Sequence, residues 1–176
     1  QSRTLSTPKS TTQFAPGKPF MIEVEFSVAE NPAHLQPQLI VLASMAEGPR
    51  SPYVEDLIPG FDDGAHATAL GKALLSTLTH DQRLRYLKEW GMRAFTPATL
   101  TEPEALEADL IAGDRRGMQV EVGQFRTGVG CAAVTVRAER DLVRRVVLAC
   151  AMPAAKLLDS PQTVRASLLS AAREVA

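Results

Sequence analysis

Cysteine is scarce in this 176-residue chain: there are two, Cys131 and Cys150, too few for a disulfide framework. Both are expected to be reduced and unpaired. The three histidines, His34, His66 and His80, stand at neither helical i, i+4 spacing nor C-x-x-C-like spacing with each other or the cysteines. That excludes the common zinc patterns, and we expect no metal and no cofactor. Aromatic residues make up 5%, too few for the stacking platforms of single-strand nucleic-acid binders. Neither sign of charge dominates: 19 basic against 20 acidic residues give a net charge of −1, which argues against a free-standing DNA binder. No apolar run approaches the roughly 18 residues of a membrane span, and no signal peptide is evident. A cytoplasmic protein with no membrane partner is expected.

What is present is ordinary globular material, 45% hydrophobic and 22% charged. A chain of this length buries about two-thirds of its unfolded surface and needs no staple to fold. Residues 1–19 are rich in Ser, Thr, Pro and Lys, with only Leu5 and Phe14 to anchor them. They read as a linker or tail, or a cloning remnant, and residues 20–176 as one domain. The chain starts at Gln1 rather than methionine, so a piece of a longer protein is expected.

From Phe20 to Val28 apolar residues alternate with Glu23 and Glu25, the period of a half-buried strand. Leu39 to Leu42 is an unbroken apolar run suited to a central strand, and Pro52 to Ile58 to an edge segment. Between His66 and Leu78, the residues Ala67, Leu70, Ala73, Leu74 and Leu78 share one helical face. Thr79 with Gln82, and Thr101 with Glu104, read as capping boxes opening two more helices, the first stopping at Gly91 and the second near Gly117. Met92 to Leu100 is loop. Strands return at Met118–Phe125, Val129–Arg137 and Leu142–Met152, the last two joined as a hairpin by residues 138–141. Ser160 and Pro161 open a last helix as N-cap and first turn. Strands, then helices, then strands predict an α+β fold with a mostly antiparallel sheet.

Little in this pattern announces catalysis. Gly71-Lys72 lacks the phosphate-loop context: Gly64 lies seven residues before Gly71 and Ala73 stands where a hydroxyl is required. No G-x-S-x-G elbow exists. A Cys131–His66 pair is conceivable, but a small buried strand cysteine and a structural histidine at a helix start explain the same residues. Arg115, Arg116, Arg126, Arg137, Arg140, Arg144 and Arg145 interleave with Glu121, Glu139 and Asp141, as on a solvated hairpin and helix end. In the hairpin, parity puts Val129, Cys131, Ala133 and Thr135 on one face with Val147, Ala149 and Ala151, and Cys150 on the other. Both faces are apolar at one end, so both need cover. The small residues Cys131, Ala133, Ala149 and Ala151 leave room for a ligand, a bulky helix or a partner subunit.

Four segments carry a resemblance. His66-Ala67-Thr68-Ala69-Leu70-Gly71-Lys72-Ala73-Leu74-Leu75, Phe95 to Thr101, Leu110 to Glu121 with Arg116-Gly117-Met118, and Gly128 to Val134 follow in the order and spacing of the effector-binding domain of IclR-type transcriptional regulators. The chain resembles that family over roughly residues 53–176. The resemblance implies a GAF-like fold, a central antiparallel sheet with helices on both faces, and a domain that binds a small organic effector. It implies a homodimer or homotetramer, and operator DNA read only through an N-terminal winged helix-turn-helix domain that this chain does not contain. The implied function is effector sensing and oligomerisation, not enzymatic activity. The alternative is a GAF-like binding module or small enzyme unrelated to transcription.

Carried over position by position, the resemblance places an effector pocket at Asp63, Ala69 and Leu70, at the acidic Glu121, at Cys131, and at Ala149 and Ala151. The last two stand where the family commonly has serine, and Gln124 where it often has glutamate. Alanine methyls cannot donate to a carboxylate as serine hydroxyls do. A neutral, cationic or partly apolar effector is therefore expected.

Overall fold

A computed structural model describes residues 21–27, 41–46, 64–136 and 144–175 of the chain. Five strands, β1 (Met21–Ser27), β2 (Val41–Ala46), β3 (Gln119–Val122), β4 (Val129–Val136) and β5 (Arg144–Pro153), form one sheet in the order β2-β1-β5-β4-β3. Every neighbouring pair is antiparallel. The apolar run at residues 39–42 therefore feeds an outermost strand of the described sheet rather than a central one. The strand starts at Val41 and continues through Ser44 to Ala46. Among the described strands, β5 and β4 hold the centre and the flank expected of apolar hairpin strands. The segments at 52–58 and 138–141 lie outside the described residues, as do Asp63 and His34.

The segment read as one helix from His66 to Leu78 is two pieces. A 3-10 turn at Ala65–Ala67 is followed by an extended Thr68, whose hydroxyl accepts from Gly71 N and caps α1 (Ala69–Ser76). A capping threonine with a β-region backbone interrupts the helix where apolar periodicity alone runs through it. The two pieces sit so close that a β-carbon on Gly71 would lie 2.3 Å from Ala65 Cα. Glycine is needed there for contact between two backbones.

The next helix, α2 (His80–Trp90), has the expected box: Thr79 accepts from Gln82 N, and Gln82 Oε1 accepts from Thr79 N. The expected box at Thr101 and Glu104 is not formed. The following helix, α3 (Pro103–Arg116), has Glu102 as its N-cap and no side-chain cap bond. Pro103 decides this start, because its fixed φ and missing N–H suit the first helical position. Gly117 ends the helix with φ of 67°, the left-handed conformation that glycine adopts without strain. Strand β3 is shorter than expected, since Gly123, at φ 70°, turns the chain out of the sheet. A short helix absent from the sequence reading, α4 (Ala154–Asp159), directly follows β5, and α5 (Pro161–Val175) starts at Pro161 as expected.

Three layers result. On one side of the sheet, α4 and α5 pack Leu157, Val164, Leu168 and Ala172 against Ala132, Val134, Val136, Leu148, Cys150 and Met152. Full burial of each large apolar side chain stabilises by about 1.5–3 kcal/mol. On the other side, α1 contacts β3, β4 and β5. Behind it, Leu75, Leu87, Leu106 and Leu110 join α1, α2 and α3 in a second apolar cluster. Helices thus cover both faces, as the two-sided apolar hairpin requires.

Candidate functional site

Strand register settles which candidate residues share a face. Glu121 pairs with Cys131, Cys131 with Ala151, and Ala133 with Ala149. Directly opposed residues in an antiparallel pair project to the same side. Glu121, Cys131, Ala149 and Ala151 therefore stand together on the α1 side, while Cys150, opposite Ala132, lies on the α4/α5 side. Both thiols are free. Ala69 and Leu70 occupy the first turn of α1 and are fully buried. Asp63 lies outside the described residues.

The polar groups of this face form one network. Lys72, on α1, is completely buried. Its ammonium donates to Asp109 Oδ2 at 2.6 Å, to Gln124 Oε1 at 2.5 Å and to the Val120 carbonyl at 3.4 Å. Three donors meet three acceptors, which a buried cation requires. Burial lowers the Lys72 pKa, and the hydrogen bond and charge of Asp109 oppose that shift. Glu121, 1% exposed, accepts from Gln124 N at 2.8 Å and from the Cys131 thiol. Burial raises the Glu121 pKa, while the Cys131 and Gln124 hydrogen bonds and the Lys72 charge pull it back. The Cys131 thiol is held well above its ordinary value, first by burial and then by the Glu121 charge. It is a weak donor to Glu121 rather than a ready nucleophile. Cys150 is pushed up to about 12 by burial.

The loop before α3 is tied to the same network. Thr99 Oγ1 accepts from Phe95 N and Thr96 N and donates to the Gln124 carbonyl at 2.6 Å, and Thr96 Oγ1 donates to the Gly123 carbonyl at 2.6 Å. His66, buried, donates from Nε2 to the Arg93 carbonyl at 2.9 Å. Its ring lies 5.8 Å from that of Phe95, which lies 4.7 Å from that of Phe125. His66 and Cys131 therefore have separate partners and form no catalytic pair. Among the described residues no group of three or more His, Cys, Asp or Glu gathers as a metal would need. No described helix is long and apolar enough to cross a membrane.

Sequence reasoning tested Lys72 only as part of a phosphate loop and missed its role. The signal was available: α1 is apolar all round apart from Lys72 and its last residue, Ser76. A helix apolar on every face is buried on every face, so a lysine inside it must find partners.

Comparison with known proteins agrees with this architecture. A family model described as "Bacterial transcriptional regulator IclR C-terminal" matches residues 58–176. The HTH-type transcriptional regulator BhcR of Paracoccus denitrificans is 35% identical over 78 residues, covering 44% of this chain and 28% of that protein. The acetate operon repressor of Salmonella typhimurium is 32% identical over 111 residues, covering 62% of this chain and 40% of that protein. The chain thus spans less than half the length of either relative. In structure it is similar to the inducer-binding domain of the PobR transcription factor from Acinetobacter, a double mutant solved with 3-hydroxybenzoic acid. Identity is 21% and the TM-score 0.69, over 89% of this chain and 86% of that one. The C-terminal domain of E. coli KdgR superposes with a TM-score of 0.65 at 23% identity, over 90% of this chain and 86% of that one. By its matched sequence and its fold, the chain belongs to the IclR family of bacterial transcriptional regulators, and residues 58–176 are its C-terminal domain.

Proposed function

We propose that this domain senses a small organic effector on the α1 face of the sheet, and that residues 20–176 form the sensing and oligomerisation unit of a cytoplasmic regulator. In that reading, residues 1–19 link it to a winged helix-turn-helix domain that reads operator DNA. The observation that supports it is the convergence of Glu121, Cys131, Ala149 and Ala151 on one face, with a buried carboxylate among small side chains. A buried ionisable group in a small-residue environment, bonded to a thiol that can rotate away, is the kind of convergent polar point on which ligand sites are built. The Lys72–Asp109–Gln124 network joins that point to α1, α3 and the β3–β4 turn. A ligand that engages Glu121 therefore acts on groups shared by three elements. The role is regulatory, not enzymatic.

The test is a thermal-shift screen of the 176-residue chain against small neutral, cationic and anionic organic compounds, followed by calorimetry on the hits. A hit with an apolar body should lose affinity in Cys131→Trp and Ala151→Trp, which fill the face. A hit retained at full affinity by both variants overturns this location. Sedimentation should show a dimer or tetramer, and gel shifts with the isolated chain should show weak or no DNA binding.

A further inference from the structure

At the other end of α1 lies a pocket of about 380 Å³ that borders the same sheet face but is lined by none of Glu121, Cys131, Ala149 and Ala151. Ser76, in its wall, is seven residues along the helix from Ala69, roughly 10 Å away. Thr135 is four residues along β4 from Cys131, roughly 13 Å away. The two places lie on opposite ends of one helix and one strand.

The hydrogen-bonding capacity of this pocket is one-sided. Its floor is apolar, made by Ala73, Met118, Ala133 and Leu169. Its polar wall is Ser76, Thr77, Asp114, Gln119 and Thr135, whose hydroxyl and amide donors are already engaged. Ser76 Oγ donates to the Ala73 carbonyl at 2.9 Å, and Thr135 Oγ1 donates to the same carbonyl at 3.4 Å. The hydroxyl oxygens therefore present lone pairs. Gln119 spends its amide donors on the Leu110 carbonyl and on Asp114 Oδ1, and the exposed Asp114 makes no hydrogen bond through Oδ2 among the described residues. The C-terminal end of α1 carries no basic residue of its own but is met by Arg83, whose Nη1 donates to the Leu75 carbonyl at 3.3 Å. The end of α3 is already met by Arg165, whose Nε donates to the Arg116 carbonyl at 2.7 Å.

A backbone carbonyl adds to this. Strand β3 begins at Gln119, opposite Ala133. The Gly123 N to Val129 O bond fixes the alternation, so that odd-numbered residues of β4 turn their N–H and C=O toward β3. Thr135 is the next such residue. The residue that would oppose it, Gly117, is folded into the end of α3 with its N–H on Asp114 O. The Thr135 peptide groups thus open onto the pocket with no described strand beside them. Counted together, the lining offers several acceptors and one carboxylate; the donors beside it are a backbone N–H and the Arg165 guanidinium, which lies against Gly117 and is engaged by the Arg116 carbonyl.

We propose that this pocket is a second ligand site that takes a small organic cation, an ammonium or guanidinium group on a short apolar body. Its charged end sits between Asp114, Ser76 and the Thr135 carbonyl, and its body lies on Ala133, Met118 and Leu169. The volume lies within the range of small-molecule sites.

Three probes of matched length separate the chemistry: phenylbutylamine, phenylbutanol and phenylbutyrate, each titrated into the 176-residue chain by calorimetry. The amine should bind, the alcohol more weakly and the acid not at all. Asp114→Asn keeps an acceptor for Gln119 and removes the charge, and should weaken the amine by about tenfold, the usual value of one charge-assisted hydrogen bond. Thr135→Trp, at an exposed position, should fill the pocket and abolish binding. Glu121→Gln should leave amine binding unchanged. Thermal unfolding confirms that each variant is folded, and Asp114→Asn decides alone should Thr135→Trp not fold. Equal binding of the three probes overturns the proposal, as does no amine binding at millimolar concentration. So does an amine affinity that survives Asp114→Asn or is lost in Glu121→Gln.

Discussion

The two faces of this sheet are made from the same strands and stabilised in different ways. Against α4 and α5, the side chains of β4 and β5 are all apolar: Ala132, Val134, Val136, Leu148, Cys150 and Met152. Against α1, the same strands carry Cys131, Thr135, Ala149 and Ala151, and β3 adds Gln119 and Glu121. The first face depends on volume alone. The second buries a lysine, a carboxylate and an amide, each of which must have particular partners. Substitution on the first face should change stability in proportion to the volume lost. Substitution on the second should change it according to which partner is stranded, and with pH.

The sharpest disturbance of the second face needs no polar group. Gly71→Ala puts a methyl 2.3 Å from Ala65 Cα and 2.4 Å from its carbonyl oxygen, contacts that only backbone displacement can relieve. A loss of about 3 kcal/mol or more is expected, at the upper end of overpacking costs, read as a fall in the urea midpoint. A wild-type midpoint would show that the 3-10 turn can move away freely, and the close approach would lose its importance. On the first face, Leu168→Ala should cost about 3 kcal/mol, a transfer loss plus a cavity. Leu168 is 4% exposed, with apolar neighbours. That loss should be the same at pH 5 and pH 8.

Lys72→Met is where the faces should part. The substitution keeps most of the volume but strands Glu121, which is buried and whose charged form the Lys72 ammonium favours. About 2 kcal/mol is expected, below the range for fully buried pairs, because Asp109 is 26% exposed and rehydrates. The sign with pH follows from Glu121. Its folded pKa is raised by burial, so its charged form opposes folding above that pKa, and the opposition vanishes as pH falls to the unfolded value. Losing Lys72 raises the folded pKa further. The deficit should therefore be greatest at pH 8 and shrink toward pH 4. A deficit independent of pH would mean that Lys72 acts only through packing.

The same contrast explains what could be read from the sequence. The apolar face was legible from parity: Val134, Val136, Leu148 and Met152 alternate with smaller residues, and a period of two places them without knowledge of partners. The capping box at Thr79 and Gln82 was legible because its partners are three residues apart. Lys72 was not, because Asp109 and Gln124 are 37 and 52 residues away, and no local pattern links them. Thr101 misled because Pro103, two residues on, set the helix start by a stronger local rule. Short α4 carries too few residues for periodicity to register. The grouping of Glu121, Cys131, Ala149 and Ala151 was half legible. Parity related the hairpin positions, but only the family resemblance added β3, whose register with β4 no local pattern in the sequence sets.

That grouping makes the smallest and most specific prediction. Ala149 and Ala151 are 3% and 4% exposed on the face shared with Glu121. Ala149→Ser with Ala151→Ser adds two hydroxyls there. If the face opens to an effector, the hydroxyls find water or ligand, and small carboxylates such as pyruvate or glyoxylate should gain about 1–2 kcal/mol, the value of hydrogen bonds to charged groups. Wild type should bind these acids poorly, since its methyls offer no donor and Glu121 is acidic. If instead α1 packs closely over both alanines, each hydroxyl is buried without a partner and costs about 1–3 kcal/mol. The ligand-free double variant would then melt well below wild type and bind no acid. Calorimetry and thermal unfolding on the two proteins read both quantities together. A gain in carboxylate affinity with little change in Tm supports an effector site on this face. A lower Tm with no gain would show that the polar face is packed as fully as the apolar one.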